Sequence, residues 1–134
     1  MKTQSTQTLQ ILRRFNEAFE LHDGSPLEAL IAEDCVMESV EPAPDGTRYE
    51  GRRACLEFWQ KLASSREGQF TAEEIIAGDE QGVILWRYRF GPGLSQSVRG
   101  VNVMRLRDGL IVAALGYVKT GEASVSQSVR SAVE

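Results

Sequence analysis

Asn102 stands between Val101 and Val103 in a run of β-branched residues, a setting that disfavours asparagine. A side-chain amide there is either a core group satisfied by backbone or water, or a pocket group that donates to a ligand oxygen. Tyr88 offers a second donor. It alternates with Ile84, Trp86 and Phe90, and its hydroxyl needs a partner wherever it is buried. Groups that could accept a proton are sparser. Glu38 alternates away from Cys35, Met37 and Ser39, and only a bulge ahead of Pro42 would re-aim it. Asp45 and Glu50 read as solvated loop charges. Ser39 is no general base near neutral pH without a partner that takes its proton. His22, the single histidine, closes the first helical pattern, where a cation suits the helix dipole. One histidine and no acids at ligand spacing give no expectation of a metal. No nucleophile elbow, phosphate-cradling glycine loop or paired redox thiol motif occurs either, so no cofactor is expected.

The elements that must position these groups centre on residues 81–119. Three apolar runs are separated there by Gly91-Pro92-Gly93 and by Asp108-Gly109, the second a strong hairpin signal because glycine accepts the positive φ of a tight turn. In the first run, Ile84, Trp86, Tyr88 and Phe90 share one strand face, and Leu85, Arg87 and Arg89 share the other. The spacing predicts a three-stranded antiparallel meander with an aromatic inner face. Arg87, Arg89, Arg99, Arg105 and Arg107 fall on its outer face, where solvation or acidic partners across a dimer interface account for them better than RNA does.

Upstream, Ser5 or Thr6 can cap a helix running to about residue 21, with Leu9, Leu12, Phe15 and Phe19 on one face. Gly24 suits its left-handed C-terminal position, and Ser25-Pro26 opens a short second helix over residues 27–34. A strand is expected over 35–41, a rigid loop over 42–46, a third helix over 52–64 with Leu56, Trp59 and Leu62 on a stripe, and a strand over 69–77. Helices segregated from an antiparallel sheet make an α+β arrangement. The polar stretch from residue 120 reads as a loose terminus, a short edge strand or a helix.

The totals agree with one domain over residues 1–134, its core at about 6–119. Hydrophobic content of 42% and charged content of 25% are globular values, and a net charge of −4 argues against nucleic acid. The N-terminal segment has no apolar signal core and no run reaches membrane-spanning length, so a cytoplasmic location and no membrane partner are expected. The two cysteines, Cys35 and Cys55, fit packed, reduced thiols better than a disulfide.

This order of elements resembles the nuclear-transport-factor-2-like superfamily, which includes ketosteroid isomerases and SnoaL-like polyketide cyclases. The resemblance rests on the helix containing Arg14-Phe15, the IAEDCVMES segment, Tyr49-Glu50-Gly51-Arg52 opening a helix with Phe58-Trp59, and above all Val101-Asn102-Val103-Met104-Arg105 followed by Asp108-Gly109-Leu110-Ile111. It implies a cystatin-like α+β cone, a curved antiparallel sheet wrapped around three N-terminal helices, with an apolar pocket at its open end and a homodimer formed through the outer sheet face. It also maps the isomerase groups, a carboxylate base and an oxyanion hole of tyrosine and protonated aspartic acid. The tyrosine position falls on Phe15, the base on Ser39 and the acid on Asn102. The usual proton shuttle is therefore unavailable, although Asn102 can still donate to a developing oxyanion.

The resulting expectation is a pocket protein for a small hydrophobic carbonyl or cyclic compound. Isomerisation, cyclisation or hydration would use Asn102 and Tyr88 as donors and Glu38 as base. Phe15, Ser39, Phe58, Trp59, Trp86, Ala114, Gly116 and Val118 are expected to line the pocket, since the small residues Ala114 and Gly116 facing large rings leave room for a ligand. The alternatives are a non-catalytic binder of a small apolar ligand and a protein–protein adaptor using the outer sheet face.

Overall fold

Apolar residues at helical spacing make the first element. The computed structural model, which describes residues 2–119, places α1 at Lys2–Glu20, with Ile11, Leu12, Phe15, Ala18 and Phe19 buried along one face. Neither Ser5 nor Thr6 caps it, because the helix starts earlier; the Ser5 hydroxyl instead donates to Asp79 Oδ1 at 2.8 Å. The helix ends on His22, not on Gly24. His22 takes the left-handed conformation (φ 57°), while the Asp23 N–H donates to the Ala18 carbonyl at 2.9 Å. A non-glycine residue is held there by its own ring, whose Nδ1 and Nε2 lie 2.8 Å from Ser65 O and 2.8 Å from Gln69 Oε1.

The expected second helix is only a 3₁₀ turn, Ser25–Ala29, and β1 begins directly after it at Ile31–Glu38. Leu27, Leu30 and Ile31 fit either period, and such short apolar runs are decided by tertiary partners. Here Ile31 pairs with Ile111, and the Ile111 N–H donates to Leu30 O at 2.8 Å. A three-residue strand, β2 (Arg48–Glu50), pairs back on β1 and was hidden by the proline-rich loop before it. Then follow α2 (Arg52–Ser64), β3 (Gly68–Ala77), β4 (Gln81–Phe90), β5 (Gln96–Arg107) and β6 (Leu110–Val118). Asp108 (φ 53°) and Gly109 (φ 77°) make the two-residue turn between β5 and β6 that the Asp-Gly pair predicts.

The six strands form one sheet in the order β2-β1-β6-β5-β4-β3. It is mixed rather than wholly antiparallel, because β1 lies parallel to β6. Register shifts interrupt β1, β3 and the β5–β6 ladder, and bulges of this kind bend a sheet. The two α-helices lie against the sheet, α1 on β3 and β4 and α2 on β1, giving the α+β cone. Leu12, Phe15, Leu27, Ile84, Met104 and Ile111 are fully buried between the layers. No helix among the described residues is long and apolar enough to cross a membrane. The stretch from residue 120 lies outside the described residues.

Candidate functional site

Strand register stacks the inner side chains in rows. Gly82, Met104, Ala114 and Met37 make the deepest of four. Above it lie Ile84, Asn102 and Gly116, then Trp86, Gly100 and Val118, and last Tyr88 with Val98. Met104, Ala114 and Met37 are buried, whereas Asn102, Gly116, Val118 and Tyr88 are half-buried. The inner face is thus packed at the β3–β4 turn and opens toward the β4–β5 turn.

Asn102 and Trp86 meet across two of these rows. The indole Nε1–H donates to Asn102 Oδ1 at 3.2 Å, which orients the amide because indole nitrogen can only donate. Among the described residues, Asn102 Nδ2 has no partner, and the Tyr88 hydroxyl has none. Burial pushes the Tyr88 phenol above its usual range, and the Glu67 and Glu41 carboxylates add to the shift, so the group stays a donor at neutral pH.

Two glycines absent from the sequence-derived site shape this face. A Cβ at Gly100 would come within 2.4 Å of the Trp86 ring, and one at Gly68 within 2.2 Å of the Tyr88 ring. The indole therefore lies across β5 and the phenol across β3, leaning apart. The clue in the sequence was a register effect, since Gly100 faces Trp86 across the β4–β5 pair and Gly68 lies diagonally from Tyr88, the latter set by a bulge in β3.

The other expected site residues divide. Gly116 belongs to the open rows, where a Cβ would contact Glu38 O and Val40 Cγ1 at 3.2 Å and Asn102 Oδ1 at 3.4 Å. Val118 lies beside Gly100 in the same region. Ala114, Phe15 and Trp59 are buried in the core, with Phe15 packed edge-on to Trp59 at 4.9 Å between ring centres. Phe58 rests on Tyr49 at 4.8 Å. The Ser39 hydroxyl is occupied by its own loop, donating to Glu41 O at 2.8 Å and accepting from Thr47 N–H at 3.2 Å. Glu38 is set apart from both donors. The shift in β1 lies between Ile31 and Val36, ahead of Glu38, so strict alternation holds and its carboxylate pairs with Arg48 at 3.6 Å.

Three of the five outer arginines find acids within the chain. Arg87 and Arg99 converge on Glu73, at 3.1 and 2.8 Å, and hold its carboxyl below the usual range. Arg107 reaches Asp34 with two nitrogens, at 2.8 and 3.1 Å. Cys35 and Cys55 are free and buried, and burial raises both thiols. Two cavities lie at the end of the sheet opposite Tyr88. One of about 240 Å³ is lined by Gln7, Thr8, Glu80 and Asp108 among others, and one of about 640 Å³ includes Arg105 and Arg107. Among the described residues no group of three or more histidines, cysteines and acids is placed to hold a metal ion.

Comparison with known proteins gives a consistent result. The model of the SnoaL-like domain matches residues 12–114. Among solved structures, an NTF2-like protein of unknown function from Mesorhizobium loti is 48% identical, with 87% of this chain and 93% of that one aligned at a TM-score of 0.80. A putative ketosteroid isomerase from Kribbella flavida is 20% identical over 87% of this chain and 81% of that one, at 0.74. An LEH-like epoxide hydrolase of M. tuberculosis is 19% identical over 86% and 80%, at 0.66. A search among curated proteins gives no match.

Proposed function

The chain belongs to the SnoaL-like domain family, and from that membership and the inner-face geometry we propose that it binds a small, largely hydrophobic carbonyl or cyclic compound at the open end of the cone. The observation that carries the reading is the Trp86–Asn102 bond, which leaves Asn102 Nδ2 as a neutral donor on an otherwise apolar face that also carries the Tyr88 hydroxyl. Either donor can polarise a ligand oxygen, the first requirement of isomerisation, cyclisation or hydration. The second requirement is a base. Glu38 is held by Arg48 on the other side of β1, and Ser39 is tied to its loop. This balance favours a binder over an enzyme that shuttles protons. The enzyme reading keeps its support from the named activities of the structural neighbours, a putative ketosteroid isomerase and an epoxide hydrolase.

The outer sheet face supports a homodimer. Register puts Val83, Leu85, Val101, Val103 and Leu115 side by side there, with Tyr117 and Ile76 exposed at 56% and 52%. Because Arg87 and Arg99 already share Glu73, an adaptor role through free arginines has less to rest on.

Native mass spectrometry of freshly purified protein, with denaturing extraction, tests the first reading. One small apolar molecule per subunit is the expected result, and its structure would set the turnover assays. An empty protein that also fails to take up aromatic ketones at millimolar concentration would remove the pocket. Dimerisation is tested by Val103→Glu, which is expected to convert a dimer into a monomer in light scattering while leaving the circular dichroism unchanged.

A further inference from the structure

The pocket reading leaves open which kind of polar group the ligand carries. Resting on that reading, we infer that Trp86 is a positioning residue: by holding Asn102 Oδ1 it commits the amide to the site as a donor, so the site selects a neutral ligand with an acceptor oxygen over one that can only donate. An asparagine is ambivalent, since rotating its amide by half a turn exchanges acceptor and donor. The indole removes that freedom. In the rotated state its N–H would face the amide NH2, leaving two donors opposed and a largely buried indole without a partner. The indole cannot easily turn away. It is 7% exposed, lies flush on the bare backbone of Gly100, and meets the Phe70 ring edge-on at 5.5 Å. On the amide's other side Gly116 keeps the backbone close to Oδ1, where a Cβ would approach to 3.4 Å.

Tyr88 is consistent with this polarity, since its phenol stays protonated beside Glu67 and Glu41, whose charges also disfavour an anionic ligand. A ketone, aldehyde or cyclic ether oxygen pairs with the Asn102 amide, whereas a protonated amine, although drawn by Glu67 and Glu41 at the Tyr88 end, finds no acceptor at that amide.

The test titrates the isotopically labelled full chain with acetophenone, 1-phenylethylamine (protonated at neutral pH) and ethylbenzene, following the indole N–H and Asn102 side-chain amide by NMR. In the wild type acetophenone should bind about tenfold tighter than the ammonium, the gain of one good hydrogen bond, and should move the Asn102 amide pair. Asn102→Leu should bring acetophenone to the level of ethylbenzene. Trp86→Phe keeps a ring but frees the amide, so the preference for ketone over ammonium should shrink toward unity. Equal binding of ketone and ammonium by the wild type, with ethylbenzene also bound, would overturn the inference and leave the pocket standing. Full retention of the ketone preference in a folded Trp86→Phe variant would do the same. If none of the three compounds shifts either signal, the pocket reading fails and the polarity assignment falls with it.

Discussion

The two ends of β4 use polar groups in opposite ways. At the Gln81 end, hydrogen bonds tie the β3–β4 turn to neighbouring elements. Thr8 Oγ1 donates to Asp79 O at 2.6 Å, Ser5 Oγ to Asp79 Oδ1 at 2.8 Å, and the Leu106 N–H to Glu80 O at 2.8 Å. Toward the Phe90 end Tyr88 carries a donor that no described residue accepts, as does Asn102 at mid-strand opposite Ile84. Apolar packing follows the same division, dense from Met37 through Trp86 and looser at Tyr88 and Val98. One strand thus serves as scaffold at its start and as a binding face at its end, and the difference can be attacked from either side.

The largest effect belongs to the packed rows. Ile84 is fully buried between α1 and the sheet, and Ile84→Ala removes several methyl groups from a layer that cannot fully collapse. A loss of about 3 kcal/mol in chemical denaturation is expected. Val98→Ala, at the open end, should cost less than about 1 kcal/mol, since the residue is only half-buried and its neighbours already face space. Equal costs would erase the distinction between the two ends.

The thiols sharpen the packed half by a second route. Cys35 and Cys55 have raised values in the folded chain, burial being the main cause, and their unfolded thiols ionise near pH 8.5. A folded value above the unfolded one gives stability that is complete below about pH 8.5 and drains as pH rises through the window toward the folded value. Denaturant melts between pH 8 and 10 should show stability falling as pH rises, by at most about 1.4 kcal/mol per pH unit from a thiol that stays protonated in the folded chain. Cys35→Ala with Cys55→Ala should flatten the curve. Native protein should also react slowly with a thiol reagent and denatured protein at both sites.

How much of this division was legible in the sequence depends on which interactions create it. Alternation in the Ile84–Phe90 run gave the aromatic face, and Asp108-Gly109 gave the hairpin turn, because both signals are local. The helix over 52–64 was equally plain. The end of α1 was not, because His22 holds its left-handed backbone through contacts with residues 65 and 69, far along the chain. Residues 31–34 went to β1 for the same reason: their partner, β6, lies about eighty residues away. At the site, Asn102 and Tyr88 stood out by type. The Trp86–Asn102 bond and the glycines beneath the rings did not, since they depend on cross-strand register and on a bulge that no short window reveals. Ala114 and Gly116 looked equivalent as small inner residues. Only the row order separates them, one closing the core and the other facing the open end.

The smallest stability effects come from deleting one hydroxyl at each end, and they test the comparison most directly. Thr8 is 3% exposed and its hydroxyl donates to Asp79 O, so Thr8→Val removes that hydrogen bond and should cost about 1 kcal/mol. Tyr88→Phe removes a hydroxyl that no described residue accepts, so the folded state loses no internal bond. Its stability should stay within about 0.5 kcal/mol of the parent or rise slightly, because the desolvated group is gone. Affinity should respond in the reverse sense: Thr8→Val leaves acetophenone binding unchanged, while Tyr88→Phe weakens it several-fold, in proportion to one lost donor. A Tyr88→Phe protein destabilised as much as Thr8→Val would mean that the phenol holds the fold together. In that event the Phe90 end is scaffold as well, and the case for two differently built ends of β4 collapses.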